Sequence, residues 1–164
     1  MQLMSKELRN ILWLGLLLGG LILAILAGWH QARTTSTAAA SAEVEQGRQV
    51  YADQCASCHG ADLEGQPDWK TPLPSGRLPA PPHDAGGHTW HHPDDILFRI
   101  VREGTAAIVG GGYESDMPGF GSVLSDSEIR AVLAFIKSTW PADIRARQEA
   151  LGAAGQPRRP PSTT

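Results

Sequence analysis

The chain has only two cysteines in 164 residues, Cys55 and Cys58, three positions apart. A disulfide across that spacing is redox-active and not structural, so no covalent framework holds the fold. A structural zinc site needs four ligands, and two thiolates would have to recruit distant histidines such as His88 and His91. No segment alternates apolar and polar residues convincingly enough for a strand, and no internal repeat is visible. Gly110-Gly111-Gly112 is not followed by Gly-Lys-Ser/Thr, which removes a phosphate-loop reading. Ser, His and Asp never fall in a nucleophile-elbow pattern, and the carboxylates at Asp94-Asp95 and Glu114/Asp116 read as a helix start and a solvated loop. Positive charge is scarce where nucleic acid would need it. Residues 43–140 carry seven Lys/Arg against fourteen Asp/Glu, a balance that repels phosphate backbones and suits a basic protein partner.

What is present begins with an uncharged run from Ile11 to Gly28, preceded by Lys6 and Arg9. Its eighteen residues span about 27 Å as a helix, enough for a thin bilayer core and long for a signal peptide. The flanking positive charges keep residues 1–10 in the cytoplasm and send the rest across. Small-residue cleavage sites occur only at 38–42, ten or more positions beyond the run, so an uncleaved anchor is preferred to a cleaved signal peptide. Residues 29–42 are small and polar and read as a tether to the domain.

The foldable part is 43–140, just under a hundred residues and near the size at which a bare hydrophobic core becomes marginal. Ser41 can cap a helix starting with Glu43 and Glu45, on which Val44, Gly47, Val50 and Tyr51 share a face. Gly47 inside that helix costs about 1 kcal/mol and calls for a close-packing reason. Six of the twelve prolines fall in 66–87, which argues for an extended irregular segment. A further helix should begin at Pro93, carry Ile96, Leu97, Ile100 and Val101 inward, and stop at Gly104. Residues 104–121 read as a Gly-rich loop. Ser125-Asp126-Ser127-Glu128 is a capping box, followed by Ile129, Val132, Leu133 and Ile136 at helical spacing and by Pro141. The expectation is an all-α domain of three to four short helices. The tail 141–164 extends helically to about Ala150, and its end is expected to be disordered.

Cys55-Ala56-Ser57-Cys58-His59 fits C-x-x-C-H, the attachment pattern of c-type haem. Both thiols and the histidine come from one short segment, as two thioether bonds and one axial bond on a single haem face require. A redox-active disulfide would want a βαβ context, which is absent. Haem iron takes a second axial ligand, and Met117 is the only methionine after the apolar run. It stands in GYESDMPGF, a polar Gly-rich loop, where core gap-filling is the weaker alternative.

GRQVYADQCASCHGADLEG, then MPGF, then LSDSEIRAVLAFIKSTWP resembles, in that order, the single-haem class I c-type cytochromes. The resemblance implies one covalent haem c held by Cys55 and Cys58, with His59 as proximal and Met117 as distal ligand. It implies that the first and last helices cross through a small residue and aromatics, places that Gly47, Tyr51 and Phe135 fit. A proline carbonyl is expected to fix the proximal histidine, with the prolines of 79–82 in reach. Leu97, Phe120, Leu124 and Trp90 are candidates to pack against the haem.

PPHDAGGHTWHHPDD places His83, His88, His91 and His92 within ten positions. One of them could replace Met117 as distal ligand, or His88, His91 and His92 could bind copper or zinc. The preferred reading is that some of them, with Trp90, hydrogen-bond haem propionates or cap the helix at Pro93. The function implied is a one-electron carrier, not an enzyme, anchored in a bacterial inner membrane with its domain on the periplasmic side. A quinol-oxidising complex and a terminal oxidase are the expected partners. A haem protein that handles or senses copper through residues 83–92 is the alternative.

Overall fold

A computed structural model describes residues 6–155. It falls into two units, the first ending at Ser41 and the second beginning at Ala42. Helix α1 (Lys6–Gln54) starts in the first and ends in the second. The others are α2 (Ala56–His59), α3 (Asp94–Glu103), α4 (Thr105–Val109), α5 (Asp126–Ser138) and α6 (Ala142–Gly155), with a 3-10 turn at Thr89–His91. Among the described residues there is no strand.

In the first unit every residue from Ile11 to Gly28 is exposed, although nearly all are apolar. A helix so clothed is long and apolar enough to cross a membrane. Residues 29–42 are helical. Alanine is the best helix former, and the hydroxyls bond back along the helix instead of unwinding it. Thr34 donates to Gln31 O (2.9 Å), Thr37 to Arg33 O (3.0 Å) and Ser41 to Ala38 O (2.8 Å). Ser41 therefore caps nothing, and no new helix begins at Glu43.

The core of the second unit is made by the end of α1, by α3 and by α5. Tyr51, Leu97, Ile129, Val132, Ile136 and Trp140 are each at most 5% exposed. Each contributes about 1.5–3 kcal/mol by leaving water. The end of α1 crosses α5 at Gly47, where a Cβ would fall on the Ala131 carbonyl and 2.9 Å from Phe135 Cβ. That contact is the reason for a costly glycine inside a helix. Tyr51 packs its ring 5.5 Å from that of Phe135 and donates its hydroxyl to Gly60 O (2.8 Å), tying the crossing to the CxxCH turn.

Pro93 sits just before α3 as its N-cap, and Gly104 ends it. α5 begins with the expected box: the Ser125 hydroxyl accepts from Glu128 N and the Glu128 carboxylate from Ser125 N. One expectation needs correction: residues 104–121 are not all loop, because Thr105–Val109 makes a short helix between Gly104 and Gly110. Beyond 140, α6 packs onto the second unit. α6 buries Ile144 and Gln148, and Gln148 Nε2 donates to Asp94 Oδ1 (2.6 Å) and His92 O (3.2 Å), which docks it on the 3-10 turn and the start of α3. The expected disordered end, 156–164, lies outside the described residues.

Candidate functional site

Cys55, Cys58 and His59 occupy positions i, i+3 and i+4 of one helical turn, so their side chains leave the same face. The turn is held by His59 N donating to Cys55 O (2.9 Å) and Cys55 N to Tyr51 O (2.9 Å). No disulfide joins the two cysteines. Burial, then the neighbouring Cys58, pushes the Cys55 thiol up to about 11. That is the opposite of a redox-active CxxC, whose nucleophile needs a depressed pKa.

His59 is buried, and its Nδ1 lies 2.8 Å from Pro81 O. A carbonyl can only accept, so Nδ1 carries the proton and Nε2 keeps its lone pair. Burial pushes this imidazole below its usual range, against the weaker upward pull of the Pro81 carbonyl. The ring is neutral and ready to bind a metal through Nε2. Among the prolines of 79–82, Pro81 is thus the one whose carbonyl holds the histidine.

A chain reversal delivers that carbonyl. Gln66 N donates to Ala80 O (2.8 Å), Ala80 N to Gln66 Oε1 (2.8 Å) and His83 N to Leu63 O (2.8 Å). Gly65 makes the approach possible: its φ is +69°, and a Cβ would lie 2.7 Å from Pro81 C and 2.9 Å from Ala80 O.

The Met117 loop is stitched to the end of α3 by Phe120 N donating to Val101 O (2.8 Å) and Gly121 N to Arg102 O (3.0 Å). Met117 is half-buried, and its Sδ accepts from the Thr105 hydroxyl at 3.4 Å, at the start of α4. Arg77, in the Pro-rich segment, pairs with Glu114 (3.4 Å) and Asp116 and so fastens that segment to the methionine loop. Sequence reading missed Thr105 and Arg77. Neither belongs to a local pattern, since each acts on a partner twelve or more residues away.

The histidine segment divides. His83 stacks on His59 with ring centroids 4.0 Å apart, and its Nδ1 meets Thr89 Oγ1 at 2.6 Å. Burial and then His59 push His83 down to about 3. It thus lies beside His59. Trp90 Nε1 donates to Ala85 O (3.0 Å), and the ring stacks on His91 at 3.8 Å. No side chain caps α3 at Pro93. Leu97 and Leu124 are buried in the core, with Phe120 and Trp90 packed against it.

A family model described as cytochrome c matches residues 44–140, more than half of the chain. The chain is 62% identical over 29 residues to the cbb3-type cytochrome c oxidase subunit FixP of Sinorhizobium medicae (strain WSM419), covering 18% of this chain and 10% of that one. The FixP subunit of Rhizobium meliloti (strain 1021) is 59% identical over 29 residues, with the same coverage. The gluconate 2-dehydrogenase cytochrome c subunit of Pantoea cypripedii is 30% identical over 95 residues, 57% of this chain and 20% of that one. The chain thus spans a fifth or less of the length of these curated relatives. No solved structure matches. With two thiols and an imidazole on one turn, a proton fixed on Nδ1 and a family match across the helical unit, the chain belongs to the cytochrome c family, an electron-carrying, class I all-α domain for one covalent haem c.

Proposed function

We propose that this chain is a membrane-tethered one-electron carrier in which Cys55 and Cys58 hold haem c, His59 supplies the proximal ligand and Met117 the distal one. The observation that carries the reading is the His59 Nδ1–Pro81 O hydrogen bond at 2.8 Å, which reserves Nε2 for iron. The haem supplies a one-electron couple; the polypeptide supplies everything that sets where and how readily it works. Pro81 orients the imidazole and raises its basicity. The soft Met117 thioether favours the ferrous state, and Thr105 holds that sulfur by its free lone pair. Two protein ligands leave no open coordination position, so substrate turnover is not part of the function.

The apolar part of α1 anchors the domain, and Lys6 and Arg9 before it support a cytoplasmic N-terminus with the haem domain on the periplasmic side of a bacterial inner membrane. Tethering raises the domain's effective concentration at membrane partners. Similarity to oxidase and dehydrogenase subunits supports exchange with such complexes, with a quinol-oxidising complex as donor and a terminal oxidase as acceptor.

Two measurements test this. Mass spectrometry of chain matured with a haem-attachment system should show the haem adduct, and Cys55→Ala/Cys58→Ala should remove it; apoprotein mass in the wild type would end the proposal. Met117→Ala should abolish the methionine–iron charge-transfer band of the oxidised protein. A wild type that lacks this band assigns the distal position to another group.

A further inference from the structure

Three of the six histidines remain outside the haem assignment yet close together: His88, His91 and His92, around the 3-10 turn Thr89–His91. In 3-10 geometry, side chains at i and i+3 eclipse, which lays His91 over His88. Their ring centroids are 5.3 Å apart with planes at 28°, and the His92 ring stands 4.8 Å from His88, nearly perpendicular. His88 and His91 are exposed and His92 is half-buried.

The backbone under these rings is held from behind. Thr89 is buried with its hydroxyl on His83, Trp90 Nε1 donates to Ala85 O, and Gln148 Nε2 donates to His92 O. His91 N and His92 N close the turn on His88 O (3.1 Å) and Thr89 O (3.2 Å). The other two imidazoles of the domain, His59 and His83, are hydrogen-bonded to protein. Among the described residues, no such partner is found for the rings of His88, His91 or His92. A turn held from behind that leaves three imidazoles without a hydrogen-bond partner, with His91 stacked on Trp90 and His92 half-buried, is built differently from a solvated loop. It is also built differently from a helix cap, since α3 takes no side-chain cap.

We propose that His88 and His91 form a surface chelate for a divalent late first-row cation, Cu2+ foremost, with His92 as the adjacent third imidazole. Two nitrogens bound to one metal lie at most about 4 Å apart, given metal–nitrogen distances of about 2 Å. Exposed rings with centroids at 5.3 Å reach that separation by side-chain rotation. Among the described residues, no three His, Cys, Asp or Glu side chains already converge on a metal position; the site is a two-ring chelate that His92 completes by swinging in. An all-imidazole donor set without thiolate or carboxylate suits copper best in the divalent affinity order. Burial and the neighbouring imidazoles hold His88 and His92 below their usual range, which supports the neutral, binding form, and Lys70 beside His88 adds to the effect there. The chelate shares no residue with the proposed haem ligands and needs none of their assignments.

The test uses the full haem-loaded chain in detergent, made without a polyhistidine tag, titrated with Cu2+ by calorimetry and followed by electron paramagnetic resonance. The expected result is one Cu2+ per chain, with nitrogen hyperfine structure and tighter binding than Zn2+ or Ni2+. His88→Ala/His91→Ala should weaken it by at least about tenfold, and His92→Ala by less, while the haem spectrum and helix content stay unchanged. Absence of stoichiometric uptake, equal affinity in the double variant, a spectrum without nitrogen ligands, or preference for Zn2+ would each overturn the assignment.

Discussion

At His59 the deciding quantity is which ring nitrogen carries the proton, and a backbone carbonyl decides it. No side-chain substitution removes the Pro81 carbonyl, but Gly65 controls whether it can come near. Gly65→Ala places a methyl 2.7 Å from Pro81 C at a φ of +69°, a conformation that costs a side chain about 1 kcal/mol even without the clash. The expected outcome is a less stable protein with a shifted reduction potential, read by denaturant titration and redox potentiometry; an unchanged potential would show that the Pro81 bond survives. On the other side, Thr105→Val keeps shape and deletes the donor to Met117 Sδ. A hydroxyl on the sulfur draws electron density from it and favours ferrous iron, so the variant should have a lower potential. A lost hydrogen bond is worth roughly 1 kcal/mol, which is on the order of tens of millivolts for one electron. Neither residue is legible from its neighbours: Pro81 is one of several prolines in an irregular segment, and Thr105 one of several threonines.

At the scale of elements, the crossing of α1 and α5 stands on the absence of one methyl. Gly47→Ala improves helix propensity by about 1 kcal/mol yet drives a Cβ onto the Ala131 carbonyl, which is backbone and cannot rotate away. Overpacking wins, with a net loss of about 1–3 kcal/mol expected in chemical denaturation. A stabilised variant would refute the close crossing. The capping box of α5 offers a pH test. Hydrogen bonds from the Ser125 side chain and then its backbone hold the Glu128 carboxyl below its ordinary value of 4.5. A depressed carboxyl stabilises the fold above its unfolded value and loses that contribution as pH falls through the folded one. The difference in melting temperature between wild type and Glu128→Ala should therefore shrink as the pH falls below the ordinary carboxyl value of 4.5. Ser125→Ala should cost about 1 kcal/mol at neutral pH. This box was readable because its partners lie three residues apart. α4 was not, because a five-residue helix between glycines has too little periodicity to distinguish it from a loop.

At the scale of the whole molecule, an apolar helix and a helical domain meet in one chain but form separate units. A chain of residues 42–155 should therefore mature with haem, stay in the aqueous phase and keep the potential of the full protein, whereas the full chain should fractionate with membranes. Precipitation of the short form would show that the domain depends on α1 before Ser41. Ending the chain at 140 should instead destabilise the domain, since Ile144 and Gln148 are buried in it.

The sequence by itself determined the membrane-length apolar helix, the haem-attachment turn and the capped last helix of the family motif. Each depends on residues within a few positions, where covalent proximity leaves one physical outcome. Tertiary structure alone decided that Pro81 holds His59, that His83 stacks on His59, that Trp90 donates to Ala85, and that α6 packs onto the second unit. Most of those choices join residues far apart along the chain, and only the packing of the core and the reversal at Gly65 bring them within reach of a hydrogen bond.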